Sequence, residues 1–397
     1  MHIAADSVIT AAGPLRDAWV TVRGSTIVWV GKAGAPAAPA GDVVELGHGV
    51  LLPGLVNAHC HLELTHLAGR VDATGGFVPW VERLVDARPR GTGAEVDAGI
   101  ARGIEEAIAS GTVALADVSN SLRSIRPLAS SSLRAVVLYE LLGWDPAAAA
   151  RVLADAELRV GEAGGRRPAP HVEVRLAAHA PHSVSPELMR AIVEAGGPLA
   201  IHLAESREET AFLAGGSGEW SAFLGRRGLG HVAFAGAARS PVAYLDSLGA
   251  LRRGTLCAHC VQADAADCRL LASRGASVVL CPRSNRTLGV GKAPVEELLA
   301  AGVTCALGTD SLASSPSLDL LQEAAALHRD WPQVPAERIV RMATFDGARA
   351  LGLDGIGAIA VGQAAALAFA PGPATLRDPH QFLVSGEAAA GPVAVAQ

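Results

Sequence analysis

PGLVNAHCHLE, residues 53–63, decides how this chain is read. An apolar run, Leu51–Val56, interrupted by Pro53 and Gly54, leads into His59 and His61 with only Cys60 between them. Strand side chains two apart share a face. At a strand end, therefore, both imidazoles project one way and Cys60 enters the layer behind. Two neutral imidazoles so close together are a natural pair of ligands for a divalent metal such as zinc. A bare His-x-His also occurs in surface loops, so the remainder of the chain has to supply further ligands in a usable order.

Outward from this stretch the chain changes rhythm. Residues 1–50 read as short strands with close turns: Ala18–Val22, Thr26–Val30 and Asp42–Leu46. From Leu51 onward, β-rich runs alternate with helical spacing. The runs after the first are Thr112–Ala116, Arg134–Leu138, His171–Ala177, Leu199–Leu203, Thr255–Ala258, Ser277–Leu280 and Thr304–Leu307. Between them lie predicted helices at Phe77–Ala87, Ala94–Ser110, Pro146–Gly161, Pro186–Glu194, Arg207–Leu213, Ala263–Arg274, Val295–Ala300 and Leu318–Arg329. Eight such units predict an α/β fold, a (β/α)8 TIM-like barrel over residues 51–354. No glycine-rich phosphate fingerprint follows a strand, which disfavours an open doubly wound sheet. Past residue 355 short strands return (Gly357–Val361, Ala365–Ala370, Phe382–Ser385), so residues 1–50 and 355–397 are expected to form a small β-sandwich.

Composition narrows the function. The 397 residues are half apolar and carry a formal charge of −6, with no basic stripe of the kind nucleic acid demands. No uninterrupted apolar stretch is long enough to span a membrane, and the N-terminus lacks a secretion signal. The six cysteines lie mostly in apolar runs, as reduced core thiols do, which predicts a cytoplasmic protein. Cys257-Ala-His-Cys260 has no second CxxC to complete a structural zinc site. A small-molecule substrate is therefore expected, without nucleic acid or membrane, and a homodimer is the default assembly.

In a barrel, chemistry collects where strands end. Those ends here carry His59, His61 and Glu63; His179 and His182; His202 and Glu205; His259; Cys281 to Asn285; and Asp310. HCHLE, HLAES, AHC, CPRSNRTLG and GTDSLASS, in that order, resemble the amidohydrolase superfamily in its cytosine/adenosine-type deaminase and chlorohydrolase branch. HLELTHLAG followed by GGFVPWVERLV, with HLAESREETAFL, is most similar to the 6-amino-6-deoxyfutalosine deaminases of menaquinone biosynthesis.

The resemblance implies one divalent metal, zinc or iron(II), on His59, His61, His202 and Asp310. It implies Glu205 as the acid that shuttles protons, His259 as the histidine beside the reactive water, and His182 as a contact to the substrate ring. Superfamily members with two metals use a lysine on strand four; Lys32 and Lys292 lie elsewhere, so one metal is expected. Glu63 is expected either to meet substrate hydroxyls or to orient a ligand histidine. A benzoate on the substrate calls for an arginine, and Arg123, Arg207, Arg283 and Arg286 are all on plausible loops. The activity implied is conversion of an adenine nucleoside to its hypoxanthine form with release of ammonia, 6-amino-6-deoxyfutalosine to futalosine first. Alternatives are another purine, pterin or S-adenosylhomocysteine-type deaminase, a cyclic-amide hydrolase or chlorohydrolase, or a barrel that has lost catalysis.

Overall fold

Five strands precede the histidine pair: β1 (His2–Thr10), β2 (Gly13–Arg23), β3 (Thr26–Lys32), β4 (Val43–Glu45) and β5 (Gly49–Pro53). The computed structural model describes residues 1–35, 38–229 and 240–394, so residues 395–397 of the expected terminal unit lie outside the described residues. The apolar run at 51–56 is divided by Pro53-Gly54. Its first half, β5, pairs with β1, while its second half begins the next strand. Gly54 is needed at that break: a Cβ there would lie 2.2 Å from Val113 Cγ1.

All eight expected strands of the central region are present. They are β6 (Leu55–Cys60), β7 (Thr112–Ser119), β8 (Arg134–Leu141), β9 (Val172–Ala178), β10 (Ala200–Leu203), β11 (Leu256–His259), β12 (Ser277–Leu280) and β13 (Thr304–Leu307). They form two four-stranded parallel sheets, β6-β7-β8-β9 and β10-β11-β12-β13. Their residues are buried on both faces, as parallel strands covered by helices require. Alternation sorts them into two cores. Val56, Ala58, Ala116, Leu138, Ala177, Ala200, Leu256, Val279 and Ala306 share one cluster that draws on every strand of both sheets. Their neighbours in sequence, such as Leu55, Leu115, Val137, Ile201, Cys257 and Leu307, pack outward against helices. At the two seams the backbone bonds His202 N to His179 O (2.9 Å) and Asp310 N to His59 O (3.0 Å).

β14 (Leu367–Pro371) and β15 (Gly391–Pro392) complete a seven-stranded mixed sheet, in the order β15-β14-β5-β1-β2-β3 with β4 beside β1. The terminal segments share one continuous hydrogen-bonded sheet. Two of the expected C-terminal strands are absent. Residues 357–361 carry no strand pairing, and Phe382 lies in the helix Pro379–Leu383, which Asp378 caps by accepting from His380 N and Gln381 N. No helix among the described residues is long and apolar enough to cross a membrane. All six cysteines are free and buried.

One helix contact matters for the site. The helix Gly93–Ala109 opens with a capping box between Thr92 and Glu95. It lies so close to the 3-10 turn Leu62–Leu67 that a Cβ on Gly99 or Gly103 would come within 2.8 Å of His66 N or 2.9 Å of Thr65 Oγ1. That close packing fixes the backbone immediately after His61.

Candidate metal centre

His59 is the penultimate residue of β6 and His61 follows the strand; His202 lies on β10, and Asp310 follows β13. The Nε2 atom of His61 is 3.3 Å from the Nε2 atoms of both His59 and His202. Asp310 Oδ1 lies 3.4 Å from His61 Nε2 and 3.8 Å from His59 Nε2. His202 Nδ1 is 2.8 Å from the carbonyl oxygen of His179, so that nitrogen carries the proton and Nε2 presents its lone pair. Glu140 Oε1 lies 3.4 Å from the same Nδ1 and places a carboxylate beside the ring. Burial, then the neighbouring His202 and His61, hold the His59 imidazole well below its usual pKa; burial takes His61 down to about 4. Both rings are therefore neutral, the form that ligates. Burial alone would raise the Asp310 carboxyl, but His61, His259 and His59 around it hold it far below the ordinary carboxylate range. Unprotonated nitrogens crowded against a carboxylate oxygen are a donor set that suits a divalent cation.

The supports were mostly missed in the sequence. Asp310 Oδ2 accepts from Ser284 Oγ (2.5 Å) and Ser314 Oγ (3.0 Å), which leaves Oδ1 facing the histidines. Asn57 shares strand parity with His59 and His61; it donates to Thr309 Oγ1 (2.8 Å) and accepts from Thr309 N (3.2 Å), tying β6 to the loop that bears Asp310. Its parity was the available signal. Backbone conformation also contributes: Ala204, His259, Cys260 and Asp310 adopt left-handed φ of 51°, 70°, 49° and 58°. Such residues cost on the order of 1–3 kcal/mol each and persist where neighbours hold them. Here the holding bonds include Cys260 N to Leu203 O and Gln262 N to Ala204 O.

Beside the cluster, His259 Nδ1 is 2.9 Å from Asn285 Oδ1, so Nε2 is again the lone-pair nitrogen; it faces Glu205 Oε1 at 3.6 Å. Burial pushes the Glu205 carboxyl up to about 8. Glu209 fixes the turn that carries it, accepting from Glu205 N (2.9 Å) and Ala204 N (3.2 Å). These groups open into a cavity of about 340 Å³, within the range of small-molecule sites. His182 lines it, stacked on Trp220 with ring centroids 4.0 Å apart. Among the described residues, neither ring nitrogen of His182 nor His259 Nε2 has a hydrogen-bond partner, although all are buried.

Glu63 requires correction. It lies off the cavity, and its carboxylate binds Ser119 Oγ, the hydroxyl and backbone N–H of Ser121, and Asn120 N. It organises the loop after β7; among the described residues the acid beside a candidate ligand histidine, His202, is Glu140. His179 serves through its carbonyl, with its ring on Ser183. The four loop arginines are spent elsewhere: Arg123 on Asp97, Arg286 on Asp330, Arg283 on Glu323 and Ser317, while Arg207 lines a separate surface hollow. The cavity's own arginines are Arg88 and Arg227.

The chain is similar to known proteins over most of its length. A 5-methylthioadenosine/S-adenosylhomocysteine deaminase of Pelotomaculum thermopropionicum is 31% identical over 385 residues, covering 91% of this chain and 82% of that protein. The crystal structure of Helicobacter pylori aminofutalosine deaminase with methylthio-coformycin superposes with a TM-score of 0.81 at 25% identity, over 96% of this chain and 94% of that one. An adenosine deaminase from Xanthomonas campestris with bound zinc gives 0.80 at 27% identity, over 98% and 89%. Residues 50–386 match the amidohydrolase family, and the chain belongs to that family.

Proposed function

We propose that this protein is a metal-dependent aminohydrolase that converts an adenine nucleoside to its hypoxanthine form, with 6-amino-6-deoxyfutalosine as its substrate. One observation carries the reading: a buried carboxyl, Glu205, and the unpartnered nitrogens of His259 and His182 face one cavity beside three imidazole nitrogens and a carboxylate. His59, His61, His202 and Asp310 would hold the cation, which we take to be zinc; the same N/O donors accept iron(II). Such a cation lowers the pKa of a water it binds to about 7 and so supplies a nucleophile at neutral pH.

The chain's own residues do the rest. His182 contacts the purine ring. Glu205 gives a proton to N1, which makes C6 electrophilic; Asp310 takes a proton from the attacking water, and His259 orients that water and stabilises the developing oxyanion. Glu205, ionised by that transfer, relays the proton of the adduct's C6 hydroxyl to N6, so that C6=O forms as the C6–N6 bond breaks and ammonia leaves; the proton held by Asp310 then returns to Glu205. Adenine and water are thereby balanced by hypoxanthine and ammonia.

We also read the two parallel sheets as halves of one (β/α)8 barrel. What supports this is the inner cluster shared by all eight strands, the hydrogen bonds at both seams, and the gathering of every candidate group at the strands' C-terminal ends. The name of the Pelotomaculum relative favours a second substrate, S-adenosylhomocysteine or 5′-methylthioadenosine, for the same chemistry.

The test is turnover of 6-amino-6-deoxyfutalosine, S-adenosylhomocysteine, 5′-methylthioadenosine and adenosine, followed by ammonia release and the adenine-to-hypoxanthine absorbance change. Glu205→Gln is expected to lower kcat by ~10²–10⁴ while bound zinc stays stoichiometric. Absence of deamination of every adenine compound by zinc-loaded protein overturns the proposal.

A further inference from the structure

One buried acid, Asp117, belongs neither to the cavity lining nor to the cation cluster. It stands two residues before the end of β7 and is fully buried. A buried carboxyl costs stability unless it is hydrogen-bonded. Its Oδ1 accepts from the backbone N–H of Leu62 (2.8 Å), the residue directly after His61. Leu62 opens the 3-10 turn Leu62–Leu67, and His61, in the capping position before that turn, makes no side-chain cap. Asp117 supplies the acceptor from the neighbouring strand instead.

The pairing of β6 with β7 shows why the bond falls there. Leu55 pairs with Thr112, but Val56 and Asn57 pair one place further along, with Ala114 and Leu115; Cys60 then returns to the first offset, opposite Asp117. Ala58 and His59 thus stand against Ala116 alone, a bulge of the kind that re-aims side chains beside active sites. Had β6 kept the middle offset, His59 would have faced Asp117, and a slip of one residue turns a strand's side chains to its other face. Cys60 is held in the returned register from both sides. It pairs with Asp117, bridges to Asp310 across the seam, and donates from Sγ to Ala116 O (3.3 Å). Past Cys60 the ladder stops. The next tie to β7 is the Asp117–Leu62 bond, ahead of the contacts of Glu63 with Ser119, Asn120 and Ser121.

We infer that Asp117 is a positioning residue for the cation site: by holding Leu62 N it keeps the end of β6 in the register that presents His59 and His61 together. This rests on the reading of the cation site and deepens it. It depends on no substrate, so failure of the deaminase reading alone leaves it standing.

The experiment measures zinc affinity by competition with a chromophoric chelator, and the visible bands of the cobalt(II)-loaded protein, for parent, Asp117→Ala, Asp117→Ser, Asp117→Asn and Ile27→Ala. Asp117→Ala should weaken zinc about 10- to 100-fold, as loss of a support behind a ligand does, and should move the cobalt bands. Asp117→Ser leaves a hydroxyl one bond short of Leu62 N and should read the same way, which serves if the alanine variant does not fold. Asp117→Asn keeps an accepting oxygen in place of Oδ1 and should stay within about threefold of the parent, with the parent's bands. Ile27→Ala truncates a buried side chain in the separate apolar cluster of the terminal sheet; it should lower stability yet leave both metal readouts as they are. The inference is overturned by parent-like affinity and bands in Asp117→Ala or Asp117→Ser, by an asparagine variant as weak as the alanine one, or by an equal loss in Ile27→Ala. A parent that takes up neither metal would remove the cation-site reading and this inference with it.

Discussion

Gly308→Ala tests the idea that the cation site is held by packing behind its ligands as well as by the ligands. Gly308 directly follows β13, two residues before Asp310. A Cβ there would lie 2.8 Å from His59 Cβ, 2.8 Å from the His59 carbonyl oxygen and 2.8 Å from Val279 Cγ1. Carbon atoms rest at about 3.5–4.0 Å, so these neighbours would have to retreat by roughly 0.7–1.2 Å. Val279 belongs to the inner cluster and has little room to move. The displacement therefore falls on His59, whose carbonyl also accepts from Asp310 N at 3.0 Å, and two candidate ligands shift together. Metal–ligand distances tolerate about 0.2 Å. Overpacking of this kind costs about 1–3 kcal/mol of stability, and displaced supports of a ligand typically cost 10–100-fold in metal affinity. Zinc affinity by competition with a chromophoric chelator, and thermal unfolding with and without zinc, read both effects. Gly161→Ala serves as control, because nothing lies within 4 Å of a Cβ there. Parent-like zinc affinity in Gly308→Ala would refute the reasoning.

Two further outcomes follow from the same structure. Ser284→Ala removes the short hydrogen bond to Asp310 Oδ2, and with Ser314→Ala the oxygen loses both donors; zinc affinity should fall about tenfold or more in the double variant, and an unchanged chelator titration contradicts this. Glu323 is buried and its carboxyl is pushed up to about 8, by burial above all, despite Arg283 nearby. An acid whose folded pKa exceeds its unfolded value of 4.5 holds its proton more tightly when folded. Its contribution is therefore full below about 4.5 and is lost as pH rises through about 8. Denaturant unfolding from pH 5 to 8.5 should show a shallower decline in Glu323→Gln than in the parent, and equal slopes would exclude Glu323 as the source.

The central strands were legible because parallel strands buried on both faces write themselves as short apolar runs, and the candidate ligands were legible because they stand at or just past the ends of those runs. The terminal sheet was read less well. Its strand β1, HIAADSVIT, mixes small and polar residues, and Phe382 was assigned to a strand although Asp378-Pro379 ahead of it is a helix start. Glu63 illustrates a different limit: parity placed it with His59 and His61, but the chain turns into a 3-10 helix directly after His61, and parity no longer applies. Arg88 and Arg227 were invisible for a related reason, since they lie on helices from separate parts of the sequence that meet only over the cavity.

That division has a consequence for how the protein works. Groups placed near the reacting atoms stand on strand ends, tied by Asn57, Ser284, Asn285 and Glu209 and by a backbone bent into left-handed φ at Ala204, His259 and Asp310. The cavity's outer walls stand on two helices joined to each other by side-chain ion pairs, of a kind worth only ~0–1 kcal/mol each, and by a shared apolar cluster that includes Phe77, Trp80, Trp220 and Phe223. Precise geometry is required where bonds change, and the strand ends that would supply it belong to strands buried on both faces. A recognition surface that must admit and release a ligand can be held more weakly. Substitutions on the helix faces are thus expected to leave zinc affinity as it is, because the candidate cation site is braced separately from the strands.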